Sequence, residues 1–447
     1  MSIIDKSTEC GRAMGKSVAF VTMGCAKNEV DTSHMQARLL SAGYDISDDP
    51  ELADAIIVNT CSFIQSATEE SIEAILDAAG IDSVVRGDAK LIVAGCMPAR
   101  YGSELYSELP EVSAFVTCAE EESIVSVVDA QFGIERISPS SAFAQGGFLP
   151  EGTVSAYVKI SDGCDRFCAY CAIPYIRGRY HSFPLVDIVS EVEDLVSSGV
   201  REIVLIAQDT GRWGKDFEKP STLATLVDTL AARFSKIWFR IMYIQPEGVT
   251  DELIDVIARY DNVCSYFDIP FQHANAEILR SMNRSGDAES HLRLLERIRK
   301  RIPDAALRTT LIAGYPGETD AAFEELCDFV EKAPLDYVGV FAYSREEGTR
   351  AYDLDNQIDE DEKLSRTQTL RDLADAACAP RIASRIGLIA DVLVCGAEED
   401  GQLFGRTKWQ APDVDGVTYI DEGLPGEFVK TRIEDALLYE MEGTALS

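Results

Sequence analysis

The sequence predicts an α/β protein with an N-terminal parallel α/β domain, a central partial (βα)6 barrel and a small C-terminal antiparallel β-barrel. Short Val- and Ile-rich runs alternate with helical patterns over most of the chain, which is typical of parallel α/β folds. The C-terminal part has only short strand-like pieces separated by Gly-containing turns. We predict a flexible extension at residues 1–16, followed by the N-terminal domain at 17–136. A Ser-, Gly- and Pro-rich linker at 137–153 leads to the central domain at 154–378 and the C-terminal domain at 379–447.

The N-terminal domain shows a repeated strand–helix pattern. Apolar strands at residues 17–24, 55–60 and 90–95 alternate with helical patterns such as 32–42 and 68–79. The strands are nearly continuous runs of Val, Ile and Ala, as expected for parallel strands that are buried on both faces.

A cysteine follows each of these strands: Cys25, Cys61 and Cys96, with gaps of 36 and 35 residues. Because the carboxyl ends of parallel strands share one edge of the sheet, we expect the thiols to converge there. Three converging thiolates can hold a [4Fe–4S] cluster that has one open iron. The alternative is that they are three buried core cysteines.

A second group, Cys164, Cys168 and Cys171, forms a C-x3-C-x2-C run directly after a strand-like segment at 156–160. Three soft sulfur ligands on one short loop suit a second cluster with an open iron. A structural zinc site would normally add a fourth ligand at a regular spacing, and the nearest candidate is His181, ten residues past Cys171. Structural zinc and inert cysteines are the alternatives.

The central domain repeats a strand–helix unit about six times, so its active site is expected at the carboxyl ends of the strands. The strands are predicted at 156–160, 202–207, 238–243, 266–269, 306–313 and 337–341, and helices at 185–198, 221–234, 250–260, 291–301 and 320–332. His273 lies at one such end and invites a catalytic interpretation. Arg177 and Arg179 could meet a carboxylate, shape the cysteine loop or lie on the surface.

The C-terminal barrel is predicted to follow a charged helix at about 359–381. Its strands are expected at 388–395, 403–407, 418–420 and 427–431. From Arg381 onward there are six Lys and Arg residues against thirteen Asp and Glu residues. An RNA-binding barrel would carry a basic groove, so we expect no dominant nucleic-acid binding and a Lys- and Arg-rich protein partner.

Composition sets further limits. The formal net charge of −35 disfavours broad neutralisation of nucleic-acid phosphates. No apolar run reaches the ~18 residues of a membrane helix, and the N-terminus lacks a signal-peptide pattern, so we expect a cytoplasmic protein without membrane contact. The other six cysteines are interpreted as core residues or idle thiols: Cys10, Cys118, Cys264, Cys327, Cys378 and Cys395.

From about residue 17 the chain resembles the radical S-adenosylmethionine (SAM) methylthiotransferases, and among them the RimO type. Besides the two cysteine groups, the resemblance rests on eight short motifs: GCAKN (24–28), VNTCSFI (58–64), PEG (246–248), DIPFQH (268–273), MNR (282–284), RTT (308–310), GYPGET (314–319) and YSREEGT (343–349). The sister family that modifies tRNA usually has an Arg-Glu pair shortly after its second cluster cysteine, where this chain reads Phe63-Ile64-Gln65-Ser66. Ala26 and Gln245 differ from the residues that are most common at these positions in RimO-type sequences.

The resemblance implies an N-terminal methylthiotransferase domain, a radical SAM domain, a C-terminal TRAM domain and two [4Fe–4S] clusters. The cluster at Cys164, Cys168 and Cys171 would bind SAM and generate a 5′-deoxyadenosyl radical that takes hydrogen from the β-carbon of an aspartate in small-subunit ribosomal protein S-twelve. The cluster at Cys25, Cys61 and Cys96 would deliver sulfur.

The implied partners are that ribosomal protein and an electron donor such as flavodoxin or ferredoxin. Our candidates for SAM contacts are Tyr170, Gln208, Gln272 and Gly314. A tRNA methylthiotransferase acting on isopentenyl-adenosine and a non-catalytic iron–sulfur protein are the alternatives.

Overall fold

The computed structural model describes residues 15–136 and 147–446. Within this part of the chain, residues 15–136, 147–150 and 172–179 form one compact unit, and residues 151–171 and 180–446 form a second. Most of the predicted extension at 1–16 and of the predicted linker at 137–153 lies outside the described residues. None of the described helices is long and apolar enough to cross a membrane.

The first unit is built on a five-stranded parallel sheet in the order β2-β1-β3-β4-β5. Its strands are β1 (Ser17–Thr22), β2 (Asp45–Ser47), β3 (Ala55–Thr60), β4 (Lys90–Gly95) and β5 (Ala114–Thr117). Every residue of β3, the central strand, is buried. The sequence did not predict the edge strands β2 and β5, because they are short and mostly half-exposed.

The helices around this sheet are α1 (Ala26–Ser41), α2 (Gln65–Ala79), α3 (Asp82–Val85), α4 (Cys96–Tyr101), α5 (Ser103–Glu108) and α6 (Ile124–Phe132), and α7 (Ile173–Ile176) packs against α4. Two apolar clusters form the core, one built around Met35 and Leu39 of α1 and the other around Ile75 of α2. Helices α1 and α2 begin six and three residues before their predicted starts, so their first turns lie next to Cys25 and Cys61.

The second unit contains the predicted partial barrel. Six parallel strands pair in sequence order within two three-stranded sheets, and a parallel bridge between Phe239 and Val263 lies where the sheets meet. The barrel strands are β6 (Ser155–Lys159), β9 (Glu202–Ile206), β10 (Trp238–Ile241), β11 (Tyr266–Asp268), β12 (Ala306–Ala313) and β13 (Tyr337–Ala342), and a small ribbon adds β7 (Ser161–Asp162) and β8 (His181–Ser182).

The barrel helices are α8 (Leu185–Ser197), α9 (Leu223–Arg233), α10 (Asp251–Arg259), α11 (Ala276–Ser281), α12 (Ala288–Arg301), α13 (Asp320–Lys332) and α14 (Glu360–Ala383). Side-chain caps fix several of their starts. Thr222, Thr250 and Thr319 each accept a hydrogen bond from a first-turn backbone N–H, and Asp287 and Ser290 form a capping box. Helix α11 was not predicted because it has only six residues.

The C-terminal barrel is closed, in the strand order β14-β15-β16-β18-β17. Its strands are β14 (Ile389–Ala397), β15 (Leu403–Arg406), β16 (Thr418–Ile420), β17 (Phe428–Leu437) and β18 (Glu440–Ala445). The closing pair β16–β18 is parallel, whereas the other pairs are antiparallel as predicted. Strand β18 was not predicted, because the polar pattern of Glu440–Ala445 carries little apolar signal.

Candidate functional site

Cys25, Cys61 and Cys96 lie together at the carboxyl edge of the N-terminal sheet. The Oδ1 atom of Asn28 is 4.0 Å from the Sγ of Cys25 and 3.8 Å from the Sγ of Cys96. Burial raises the pKa of Cys61 to about 11, and nearby Cys96 and Cys25 contribute to the rise. Three thiols that come from separate strand ends therefore share one small region.

Two glycines allow this close approach. Gly24 and Gly95 have φ values of 94° and 93°, which favour glycine. A Cβ on Gly24 would lie 2.4 Å from the Cβ of Cys61, and a Cβ on Gly95 would lie 2.3 Å from the Oδ1 of Asn59. Any side chain at these positions would push the cysteine-bearing segments apart.

Side chains fix the same segments by hydrogen bonds. The Nδ2 of Asn28 donates to the carbonyl oxygens of Met23 and Thr60, at 2.9 Å each. The hydroxyl of Ser71 accepts from the backbone N–H of Cys61 at 3.0 Å and donates to its carbonyl at 2.8 Å. Asn28 and Ser71 are fully buried, so these bonds are shielded from water.

Sequence reasoning missed the position of one residue near these thiols, Cys118. Cys118, interpreted as a core residue or idle thiol, directly follows β5, and its Sγ is 4.0 Å from that of Cys96. Predicting β5 would have identified it as a fourth strand-end cysteine. The hydrogen bond from Cys118 lowers the pKa of Cys96 against the effect of burial, and Arg177 adds to that shift.

The second thiol group lies on the loop after β6, at the carboxyl end of the barrel. Burial raises the pKa of Cys164. The backbone N–H of Cys171 donates to the carbonyl of Cys168 at 3.0 Å, which closes the loop on itself. The guanidinium of Arg284 lies 4.0 Å from the Sγ of Cys168, so a positive charge faces this thiol.

The turn at residues 282–284 holds this loop in place. The backbone N–H of Ala169 donates to the carbonyl of Met282 at 2.9 Å. Asn283 has a φ of 58°, and its Nδ2 donates to the carbonyls of Arg166 and Phe167 at 2.8 and 3.2 Å. The MNR motif of the sequence therefore positions the cysteine loop.

Two of the four candidate SAM residues lie in or beside this loop. Tyr170 lies against Cys168, and burial raises the pKa of its hydroxyl well above the usual value. Gln208, two residues past β9, donates from Nε2 to the Oδ1 of Asp162 at 3.0 Å. Their contacts with SAM stay predictions.

The other two candidates lie at the ends of β11 and β12. Gln272 has a φ of 72° and pairs with Leu311 of β12. The backbone N–H of Gly314 donates to the Oε1 of Glu318 at 3.0 Å. His273 is fully buried, accepts at Nδ1 from a backbone N–H, and bonds through Nε2 to Glu318 at 3.1 Å. His273 therefore helps to fix the turn that carries Gly314.

Unpartnered buried acceptors provide a test of whether a ligand fits the carboxyl end of the barrel. Oε1 of Gln208, Oδ1 of Asp209 and Oε1 of Gln245 are buried without a hydrogen-bond partner at the ends of β9 and β10. Each such atom costs about 1–3 kcal/mol. The amino and hydroxyl donors of a cofactor such as SAM are of the kind that these acceptors lack.

Within residues 15–136 and 147–446, no three His, Cys, Asp or Glu side chains are grouped tightly enough to hold a single metal ion. Thiolates that bind a [4Fe–4S] cluster each take a different iron, so they need a wider arrangement than the ligands of one ion. Both cysteine groups have the sulfur donors that iron–sulfur clusters prefer.

Three family models match the chain. They are "Uncharacterized protein family UPF0004" over residues 17–117, "Radical SAM superfamily" over 158–330 and "TRAM domain" over 386–446. The first spans the N-terminal sheet with Cys25, Cys61 and Cys96, and the second spans most of the central barrel. The third coincides with the closed C-terminal barrel.

Similar proteins of nearly the same length define the family. The ribosomal protein uS12 methylthiotransferase RimO of Clostridioides difficile (strain 630) is 41% identical over 446 residues, which cover 96% of this chain and 98% of that protein. The proteins of the same name from Symbiobacterium thermophilum and Syntrophus aciditrophicus are also 41% identical, cover 96% of this chain, and are themselves covered over 90% and 98%. The chain belongs to the RimO methylthiotransferase family. It is thus a radical SAM enzyme that transfers a sulfur-containing group.

Solved structures support the fold of this family member. The radical SAM methyltransferase TsrM from Kitasatospora setae, solved with cobalamin and a [4Fe-4S] cluster, has a TM-score of 0.58 at 14% identity, covering 76% of this chain and 74% of TsrM. The cobalamin-dependent radical SAM enzyme OxsB has a TM-score of 0.52 at 12% identity, covering 81% of this chain and 56% of OxsB. Membership in the radical SAM superfamily implies an iron–sulfur cluster and SAM as cofactors.

Proposed function

We propose that this RimO family member methylthiolates the β-carbon of an aspartate in ribosomal protein uS12, using two [4Fe–4S] clusters. Cys164, Cys168 and Cys171 would hold the cluster that binds SAM. Cys25, Cys61 and Cys96 would hold the cluster that delivers sulfur. The convergence of these last three thiols at one edge of the N-terminal sheet is the observation that carries the proposal, because an enzyme that only generated a radical would not need it.

When bound, SAM and the reduced cluster supply a carbon radical able to break an unactivated C–H bond, and the second cluster supplies the sulfur. The chain itself holds and orients these groups. Asn283 fixes the cysteine loop, and Arg284 places a positive charge 4.0 Å from the Cys168 thiol. The buried acceptors on Gln208, Asp209 and Gln245 would bind donors of SAM.

The surface of the C-terminal barrel supports a basic protein as substrate over a nucleic acid. Of its few cations, Arg385 and Arg406 are withdrawn into ion pairs with buried Asp336 and Glu202. A groove of about 480 Å³ is lined by carboxylates and one aromatic ring, from Glu398, Asp400, Asp421, Glu442 and Tyr419. Such a surface repels phosphates and attracts a Lys- and Arg-rich ribosomal protein.

The proposal is tested by anaerobic turnover of the reconstituted full chain with SAM and a reduced flavodoxin or ferredoxin. Purified uS12, assembled small subunits and tRNA containing isopentenyl-adenosine are offered in separate reactions, and peptides and nucleosides are analysed by mass spectrometry. We expect one methylthio group on one aspartate of uS12 and none on tRNA. Methylthiolation of tRNA alone would show that the sister activity is correct instead.

A further inference from the structure

Residues 172–179 fold with the N-terminal unit, although they follow the last cysteine of the C-x3-C-x2-C loop directly in sequence. Within that unit, Ala172 and Ile176 pack against Cys96 in a small buried cluster, and Cys118 lies at its border. The segment therefore forms part of the surroundings of the N-terminal thiols. Arg177 follows Ile176 within this segment.

The Arg177 side chain is only 2% exposed and makes three contacts near these thiols. Its Nη2 lies 2.8 Å from the Oδ1 of Asn28, 2.8 Å from the Oδ2 of Asp31 and 3.8 Å from the Sγ of Cys96. Asp31 is 1% exposed, so the ion pair is buried. One guanidinium thus joins a carboxylate, an amide and a thiol.

A buried ion pair alone would explain the contact with Asp31, but it does not require the other two. The amide of Asn28 faces Cys25 and Cys96 and also fixes the segments before Cys25 and Cys61. A guanidinium can donate to several acceptors at once. Arg177 therefore orients the amide that fixes the segments before Cys25 and Cys61 and that faces the Cys96 thiol. Its positive charge balances the negative charge of the thiolates and of Asp31.

We propose that Arg177 is a positioning residue for the thiolate group Cys25, Cys61 and Cys96. Its guanidinium sets the orientation of Asn28 and stabilises the negative charge that these thiolates carry when a cluster is bound. This inference rests on the proposed function. It predicts that Arg177 governs how firmly the N-terminal cluster is held, and that SAM cleavage at the other cysteine group does not depend on it.

The test isolates the N-terminal cluster in full-length protein in which Cys164, Cys168 and Cys171 are replaced by Ala. In that background the rate of iron loss to EDTA and the electron paramagnetic resonance signal of the reduced cluster are compared between variants. Arg177→Gln is expected to lose iron about 10- to 100-fold faster and to change the signal. Arg177→Lys keeps the positive charge but lacks the planar guanidinium, so its rate of iron loss is expected to lie between those of the parent and of Arg177→Gln. Arg179→Gln, two residues away and exposed, is the matched control and should behave as the parent.

The double variant Arg177→Gln/Asp31→Asn separates positioning from a purely structural ion pair. It removes both buried charges, so a structural role predicts recovery of thermal stability and of iron retention together. We expect the thermal midpoint to recover while iron loss stays fast.

Iron retention equal to the parent in the double variant, or in Arg177→Gln, would overturn the inference and leave the proposed function standing. Absence of iron in the parent background would overturn both. In the otherwise wild-type chain, Arg177→Gln should still cleave SAM to 5′-deoxyadenosine while methylthio product falls. Equal loss of both would contradict the inference.

Discussion

Glu202→Gln tests the buried ionic group that joins the central and C-terminal barrels. Glu202 of β9 is fully buried, and its carboxylate lies 2.9 Å from Arg240 of β10 and 2.8 Å from Arg406 of β15. The hydroxyl of Ser155 donates to the same carboxylate at 2.8 Å. The substitution keeps the size of the side chain and removes only its charge.

The expected cost follows from the pKa of Glu202. Burial raises this pKa, but Arg240 and Arg406 outweigh burial and lower it from 4.5 to about 2. At 1.36 kcal/mol per pKa unit, the ionised carboxylate contributes roughly 3 kcal/mol to folding. Because the folded-state pKa is the lower one, this contribution is complete above about pH 4.5 and is lost as the pH falls towards 2. In proteins generally, removing one partner of a buried ion pair lowers the free energy of unfolding by about 3–5 kcal/mol.

Tryptophan fluorescence provides the assay, because all three tryptophans, Trp213, Trp238 and Trp409, belong to the second unit. Urea unfolding at pH 7 is expected to show a loss of about 3–5 kcal/mol for Glu202→Gln. The control is Glu193→Gln, which removes the exposed pair with Arg233 and should cost less than about 1 kcal/mol. Equal effects of the two substitutions would refute the reasoning.

Two further predictions concern the N-terminal thiols. Gly24→Ala should lower the thermal midpoint and the iron content, because its Cβ would lie 2.4 Å from the Cβ of Cys61. The control is Gly43→Ala: Gly43 has a similar φ of 89° and open space around it, so this substitution tests backbone strain alone. Equal effects on iron content would show that the clash is unimportant. In iron-free protein, oxidised glutathione should join Cys96 to Cys118, because their sulfurs are 4.0 Å apart. Peptide mapping without that cross-link would contradict this expectation.

The central architecture could be predicted from the sequence because buried parallel strands leave a strong local signal. Strands β1, β3 and β4 are apolar runs that end close to a cysteine, and sheet geometry then requires their carboxyl ends to share one edge. The C-x3-C-x2-C loop was equally visible, because its three cysteines lie within eight residues.

Contacts between distant residues could not be predicted, because they leave no local pattern. Arg177 and Asp31 are 146 residues apart, and nothing in either segment indicates the other. The short edge strand β5 has no strong apolar run, so Cys118 was assigned to the core instead of the sheet edge. The small number of histidines, four in the chain, favoured a catalytic interpretation of His273, yet its hydrogen bonds are those of a buried structural residue.

The separate roles of the two cysteine groups, radical generation and sulfur delivery, are tested most directly by replacing Cys25, Cys61 and Cys96 with Ala. We predict that iron falls from about eight to about four atoms per chain. SAM cleavage to 5′-deoxyadenosine should continue, and the methylthio product on uS12 should disappear. A matched variant replaces three cysteines outside both groups and should keep the full iron content: Cys264, Cys378 and Cys395. Retention of about eight iron atoms in the first variant, or continued methylthiolation, would contradict the account.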